Sequence, residues 1–364
     1  KAGLVSTALF ITYGAFQIIN CLLCKRYNSR YVITIGLIGS GICNLLVGYT
    51  QNFDVVIAVW CVNGIFLSFL WTAVIRVLSE SLTKEYMAKS TIAIGTTVAF
   101  GTFVIYGASA IFVYFNAFRW AFYFAGIIMP IVAIVWFFFM PRVVNSLPKQ
   151  AKQELILEKV SATVFQRKHI YLTVVCFFII AVAVNLVKDG LVTWVPNILK
   201  DTYDLNDSIS IILTLALPCV AVFGNVSSVK LHRVIPDFVL QVAIMFAISS
   251  VLIVAVILGI KLDQFVITVL CFAIVYFLIS SCNSVLTSIF PLFMKGKVNS
   301  GMIAGLINGF CYLGSAISSY ALGAVADKTG WNFVFWLLFA VCCLVVVIYL
   351  VYFLIKLVLK KKYQ

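Results

Sequence analysis

The chain has 364 residues, 63% of them hydrophobic and only 10% charged, with a formal net charge of +14 and a mean hydropathy of +1.12. No soluble fold buries that much apolar surface, so lipid must cover part of it. In a soluble protein the positive charge would point to nucleic acid; in a membrane chain it has another source, seen in the loops.

Apolar runs separated by polar breaks predict eleven spans, at about 4–24, 31–50, 55–79, 89–115, 119–141, 171–199, 208–230, 236–260, 264–291, 299–325 and 331–358. They lack the period-2 alternation of barrel strands. Helices are therefore expected, each satisfying its own backbone polar groups in the hydrocarbon. Alternate loops differ sharply in charge. Of the 26 Lys and Arg residues, Lys1, Arg119, Lys200, Lys261 and Lys328 fall on one side, Lys188 lies inside a span, and the remaining twenty fall on the other side. By the positive-inside rule the basic side is cytoplasmic.

Within the first spans, Gly36, Gly39 and Gly41 have helix-packing spacing. Cys21 and Cys24 have CxxC spacing, but no second pair follows and His169 and His232 are the only histidines. The eleven cysteines therefore read as small apolar side chains, and no metal or cofactor is expected. Residues 142–170 form the only long hydrophilic connection, with an amphipathic pattern over 151–166. They separate an N-terminal bundle (1–141) from a C-terminal bundle (171–358), and a short cytoplasmic tail (359–364) follows. Because Lys1-Ala-Gly runs straight into a span, a further span is expected upstream, which would make two six-helix bundles.

The sixth run carries Asn185-Leu-Val-Lys-Asp-Gly-Leu-Val-Thr-Trp-Val-Pro196. At ~1.5 Å per residue, Lys188 lies roughly 16–18 Å from the Leu199 end, near the middle of a ~30 Å hydrocarbon core. A charge at that depth faces a bundle interior or a wet cavity, and it is either a site for an anion or coupling ion or half of a structural ion pair. Asp189 points about 100° away around the helix. It has three open roles: pairing with Lys188 in the empty state, accepting a coupled proton, or capping a neighbouring helix. Trp194 is a cavity wall or an interfacial aromatic, and Pro196 kinks or ends the helix. In the tenth run, Gly301, Gly305 and Gly309 form a GxxxGxxxG series, and Gly314, Ser315, Ser318 and Ser319 extend the small-residue theme.

Three stretches resemble the organophosphate:phosphate antiporter family of the major facilitator superfamily, the glycerol-3-phosphate, hexose-phosphate and glucose-6-phosphate transporters. They are Lys188 through Trp194 to Pro196, similar to the family's seventh helix; Asn63-Gly64 through Trp71 to Arg76, similar to its fourth; and Ala304 to Gly314 with Asp327 to Trp331, similar to its eleventh helix and the following loop. Tyr13-Gly14 and Tyr276 to Pro291 add weaker matches to the second and tenth helices. The resemblance covers nearly the whole chain and implies an all-α facilitator fold lacking its first helix here. It also implies that the substrate phosphate is held by two basic side chains, one on the first helix and one on the seventh, the latter mapping onto Lys188. Departures are Lys25 before Arg26 where an aspartate is usual, Gln17 where lysine is frequent, and Val98 or Ala99 where bacterial glycerol-phosphate transporters have histidine. Lysine at 188, not arginine, is similar to the glucose-6-phosphate type.

Candidate substrate contacts are thus Lys188, Asp189, Trp194, Tyr13, Gln17, Trp71, Arg76, Tyr276, Asn308 and Tyr312. Arg76, with Glu80 at i+4, reads equally as an arginine snorkelling at the interface. Each polar group within a span also fits an ordinary helix–helix hydrogen bond. The expected function is a plasma-membrane secondary transporter, a monomer that exchanges a phosphate ester for inorganic phosphate by alternating access. Its rivals are a proton-coupled carrier of another organic anion and a transporter-like receptor for sugar phosphates. Without a nucleophile–base pair, a metal cluster or a phosphate-cradling loop, the sequence does not read as an enzyme or an ATP-driven pump.

Overall fold

The computed structural model describes residues 2–23, 26–82, 84–146, 164–205, 207–294 and 300–363. All regular structure among them is helical. In chain order the helices are α1 (Ala2–Leu23), α2 (Ser29–Tyr49), α3 (Phe53–Ser81), α4 (Lys84–Tyr114), α5 (Arg119–Ser146), α6 (Val164–Tyr203), α7 (Asp207–Val234), α8 (Phe238–Lys261), α9 (Phe265–Phe293), α10 (Ser300–Thr329) and α11 (Trp331–Tyr363). Nine of them, all but α4 and α7, carry a described apolar stretch long enough to cross a bilayer. The chain is a multi-pass membrane protein. The amphipathic segment read at 151–166 and Lys25 fall largely or wholly outside the described residues.

Local chemistry sets the helix ends. The Asn28, Asn52 and Asp237 side chains accept hydrogen bonds from the first-turn amides of α2, α3 and α8. Asn116, Asp204, Asp263 and Gly330 all have positive φ, and they close the α4–α5, α6–α7, α8–α9 and α10–α11 connections, all at one end of the bundle. At the opposite, basic end, Lys356 Nζ of α11 donates to Asp237 at 2.6 Å. Partial burial disfavours the Asp237 carboxylate, but the hydrogen bonds from Lys356, Leu240 and Val239 outweigh it and hold that group below the usual carboxylate range.

Two departures from the expected helices stand out. The sixth span is expected over 171–199, with Pro196 as a kink or as its end; the structure corrects the limits and the end, not the kink. In the structure α6 runs unbroken from Val164 to Tyr203, through Pro196. The polar turn before residue 171 and the one after 199 continue the helix beyond the apolar run, so hydropathy alone underestimates its length. In addition, α9 and α10 widen into π-helical turns at Val285–Ile289 and Ser318–Leu322. The first ends two residues before Pro291, which has no N–H to give the helical ladder.

α1 packs on α3, and α2 packs on α3 and α5; α6 packs on α10, and α9 packs on α7 and α8. The first five helices meet the rest along α1–α10, α3–α10 and α4–α7. α10 is the most buried, whereas α5 turns Ile127, Ile131, Ile134, Phe138 and other large apolar side chains outward, as a lipid-facing helix does. Glycine is required where backbones touch. A Cβ at Gly314 would overlap the Val182 carbonyl of α6, and one at Gly309 would press on Ile18 and the Gly14 carbonyl of α1.

Gly314→Leu should therefore destabilise the detergent-solubilised protein by about 1–3 kcal/mol in thermal unfolding, the usual cost of overpacking. Gly101→Ala, at a position where no described atom would lie within 4 Å of the new methyl, should leave the transition in place.

Candidate functional site

Lys188 and Asp189 are carried by α6, near the middle of its apolar run. Both side chains turn into the protein and neither is sealed off, with 19% and 23% of their surface exposed. Lys188 Nζ lies 3.3 Å from Asp189 Oδ1. Tyr276 of α9 and Cys311 of α10 stand within electrostatic reach of the ammonium. The other carboxylate oxygen, Asp189 Oδ2, accepts a hydrogen bond from Asn185 Nδ2 at 3.2 Å and a short one from Ser315 Oγ of α10. Asn185 Nδ2 also donates to Ser315 Oγ at 3.0 Å. Of the three roles open to Asp189, this geometry shows the pairing with Lys188.

The neighbouring face of α10 places Asn308, Cys311, Tyr312 and Ser315 at helical i, i+3, i+4, i+7 spacing. Asn308 Nδ2 donates to the Tyr13 hydroxyl of α1 at 3.3 Å, and the Tyr13 and Tyr312 rings lie 3.9 Å apart. Cys311 stands within electrostatic reach of Tyr13, and Asp189 within reach of Tyr312. One polar strip on α10 thus joins Lys188, Asp189 and Tyr276 on one side to Tyr13, Asn308 and Tyr312 on the other. One turn from Tyr13, Gln17 is fully buried; its Nε2 donates to Thr72 Oγ1 at 2.7 Å, while its Oε1 has no hydrogen-bond partner among the described residues.

Three of the expected contacts stand apart. The Trp194 indole donates to the Ser318 carbonyl at 3.1 Å, at the first residue of the π-helical turn in α10, and the ring leans on Trp331. Trp71 packs beside Ile75, Leu292 and Ala304. Arg76 lies at the basic end, donating to Glu80 at 2.8 Å and to the Tyr27 carbonyl at 2.9 Å, on the wall of an apolar cavity of about 370 Å³ between α1, α2 and α3. Asn185 and Ser315 were not among the expected contacts. Asn185 stands one turn from Asp189 on the same helix face, a spacing visible in the sequence. Ser315 looked like a packing residue and gave no such signal.

A partly exposed ammonium with one carboxylate beside it and a tyrosine hydroxyl and a thiol in reach can hold a small anion. Known proteins give the wider setting. The family model described as Major Facilitator Superfamily matches residues 1–318. The chain belongs to the major facilitator superfamily. This facilitator is 22% identical, over 96% of its own length and 82% of the relative's, to a "Probable hexose phosphate transport protein" of Chlamydia trachomatis. It is 34% and 36% identical to the "Membrane sensor protein UhpC" of Salmonella typhimurium and of Escherichia coli, over 18% of this chain and 15% of each sensor. These relatives support the organophosphate branch of the superfamily.

If the pair is mutually stabilising, Asp189→Ala leaves an unpaired ammonium at membrane depth, and removing Lys188 as well relieves it. A double-mutant cycle of Lys188→Ala and Asp189→Ala in detergent unfolding should give a coupling of about 1–2 kcal/mol, reduced from that of a sealed pair by the partial exposure.

Proposed function

We propose that this facilitator moves a phosphate ester of a sugar or glycerol across the membrane, exchanging it for inorganic phosphate by alternating access. The observation that carries this reading is the inward-facing Lys188 ammonium at mid-membrane depth, in a chain whose long-coverage relative is named for hexose phosphate transport. The substrate's phosphate would take Lys188 as its cationic partner, with Tyr276, Tyr13, Asn308 and Tyr312 nearby to contact the remainder. The two helix sets, residues 1–141 and 171–358 joined by the basic 142–170 segment, would rock about the α1–α10 and α4–α7 contacts to expose the site to each side in turn. The charge distribution of the loops supports a cytoplasmic linker and C-terminus.

A second reading has its own support. The relatives matched over a short stretch at higher identity are named sensors, so a receptor that binds a sugar phosphate without moving it fits that stretch.

Reconstitution separates them. Phosphate-loaded proteoliposomes of the protein should take up labelled glucose 6-phosphate or glycerol 3-phosphate. Lys188→Ala should lower that uptake about 100-fold, the loss expected when a charge-assisted contact of ~3 kcal/mol is removed. Saturable binding without uptake would favour the receptor, and uptake unchanged by Lys188→Ala would contradict both the site and the mechanism.

A further inference from the structure

The two oxygens of the Asp189 carboxylate have different partners. Oδ1 faces the Lys188 ammonium at 3.3 Å, while Oδ2 is held by Asn185 and Ser315. Asn185 is anchored one turn away on α6, and Ser315 sits on the strip of α10 where Gly314 lets the two backbones touch. Asp189 therefore keeps two neutral donors even when the ammonium leaves it. Lys188 is the mobile partner, because its four-carbon stem can swing while the short Asp189 side chain is fixed from behind. The other titratable groups in reach of the ammonium, Tyr276 and Cys311, offer a hydroxyl and a thiol, so Asp189 is the carboxylate beside it.

We propose that Asp189 is a resident counter-anion. It neutralises Lys188 while the site is empty and yields it to the phosphate of an arriving substrate, staying in place on Ser315 and Asn185. This rests on the organophosphate reading above and adds a consequence to it. An uncompensated ammonium resists enclosure in a low-dielectric site, so a carrier lacking an internal anion returns across the membrane only when loaded. A carrier that supplies its own carboxylate also returns empty. Net, one-way movement should therefore accompany exchange.

The test uses proteoliposomes of the protein preloaded with labelled glucose 6-phosphate. Release is followed into medium containing unlabelled glucose 6-phosphate and into medium free of phosphate and phosphate esters. The wild-type protein should release label into the free medium at a rate within about tenfold of exchange. Asp189→Asn should lower the ratio of net release to exchange by about tenfold or more, whatever it does to exchange itself, and Asp189→Glu should keep the wild-type ratio. Wild-type release that strictly requires substrate outside would overturn the proposal, a result that needs no variant. Equal slowing of both modes by Asp189→Asn would also overturn it, showing a fixed structural bridge. Movement in neither mode by the wild-type protein would instead remove the transport reading itself, and the inference with it.

Discussion

One charge at membrane depth organises this molecule. An ammonium in the hydrocarbon zone is tolerated only inside the protein and only with compensation, which sets several features of the surrounding packing at once. Lys188 points toward α9 and α10, and Asp189 sits beside it. For Ser315 to reach that carboxylate, α10 must lie against α6 closely enough that position 314 has no room for a side chain. The most buried helix is thus also the one that completes the polar site.

The same helix joins the two helix sets. On its other side α10 meets α1 through Gly309 against Gly14 and through the Asn308–Tyr13 hydrogen bond. The Tyr13 and Tyr312 rings also pack across this seam, so α1 and α10 meet through small residues, neutral hydrogen bonds and an aromatic contact, with no ion pair among the described residues. The π-helical turn of α10 lies at Ser318–Leu322, and Trp194 of α6 fastens onto its Ser318 carbonyl. α6 and α10 are therefore tied at two levels, at the charged pair and again toward Trp331.

Much of the fold could be read from hydropathy, because lipid forces each apolar run into a helix and confines polar residues to the ends. Limits were less legible where a helix outlasts its apolar run, as α6 does at both ends, or tolerates proline, as α6 does at Pro196. Within the site, the depth of Lys188 was visible from counting residues, but its direction depends on which helices lie beside α6. For the same reason the sequence left Asp189 with three roles. Asn185 could have been found from its i, i+4 spacing, whereas Ser315 is 126 residues from Asp189 and meets it only through tertiary packing. Arg76 and Trp194 show the converse, since residues carrying a family resemblance need not share a site; one sits at the basic end and the other reaches from α6 to the π-helical turn of α10.

Every role given to the neighbours of Lys188 requires that an anionic solute meet its ammonium. Equilibrium binding of glucose 6-phosphate to the purified protein, measured by calorimetry with and without Lys188→Ala, tests this most directly. Binding should be saturable and weaken about 100-fold in the variant, as loss of a ~3 kcal/mol charge-assisted contact requires. Equal affinity in the two proteins would contradict it.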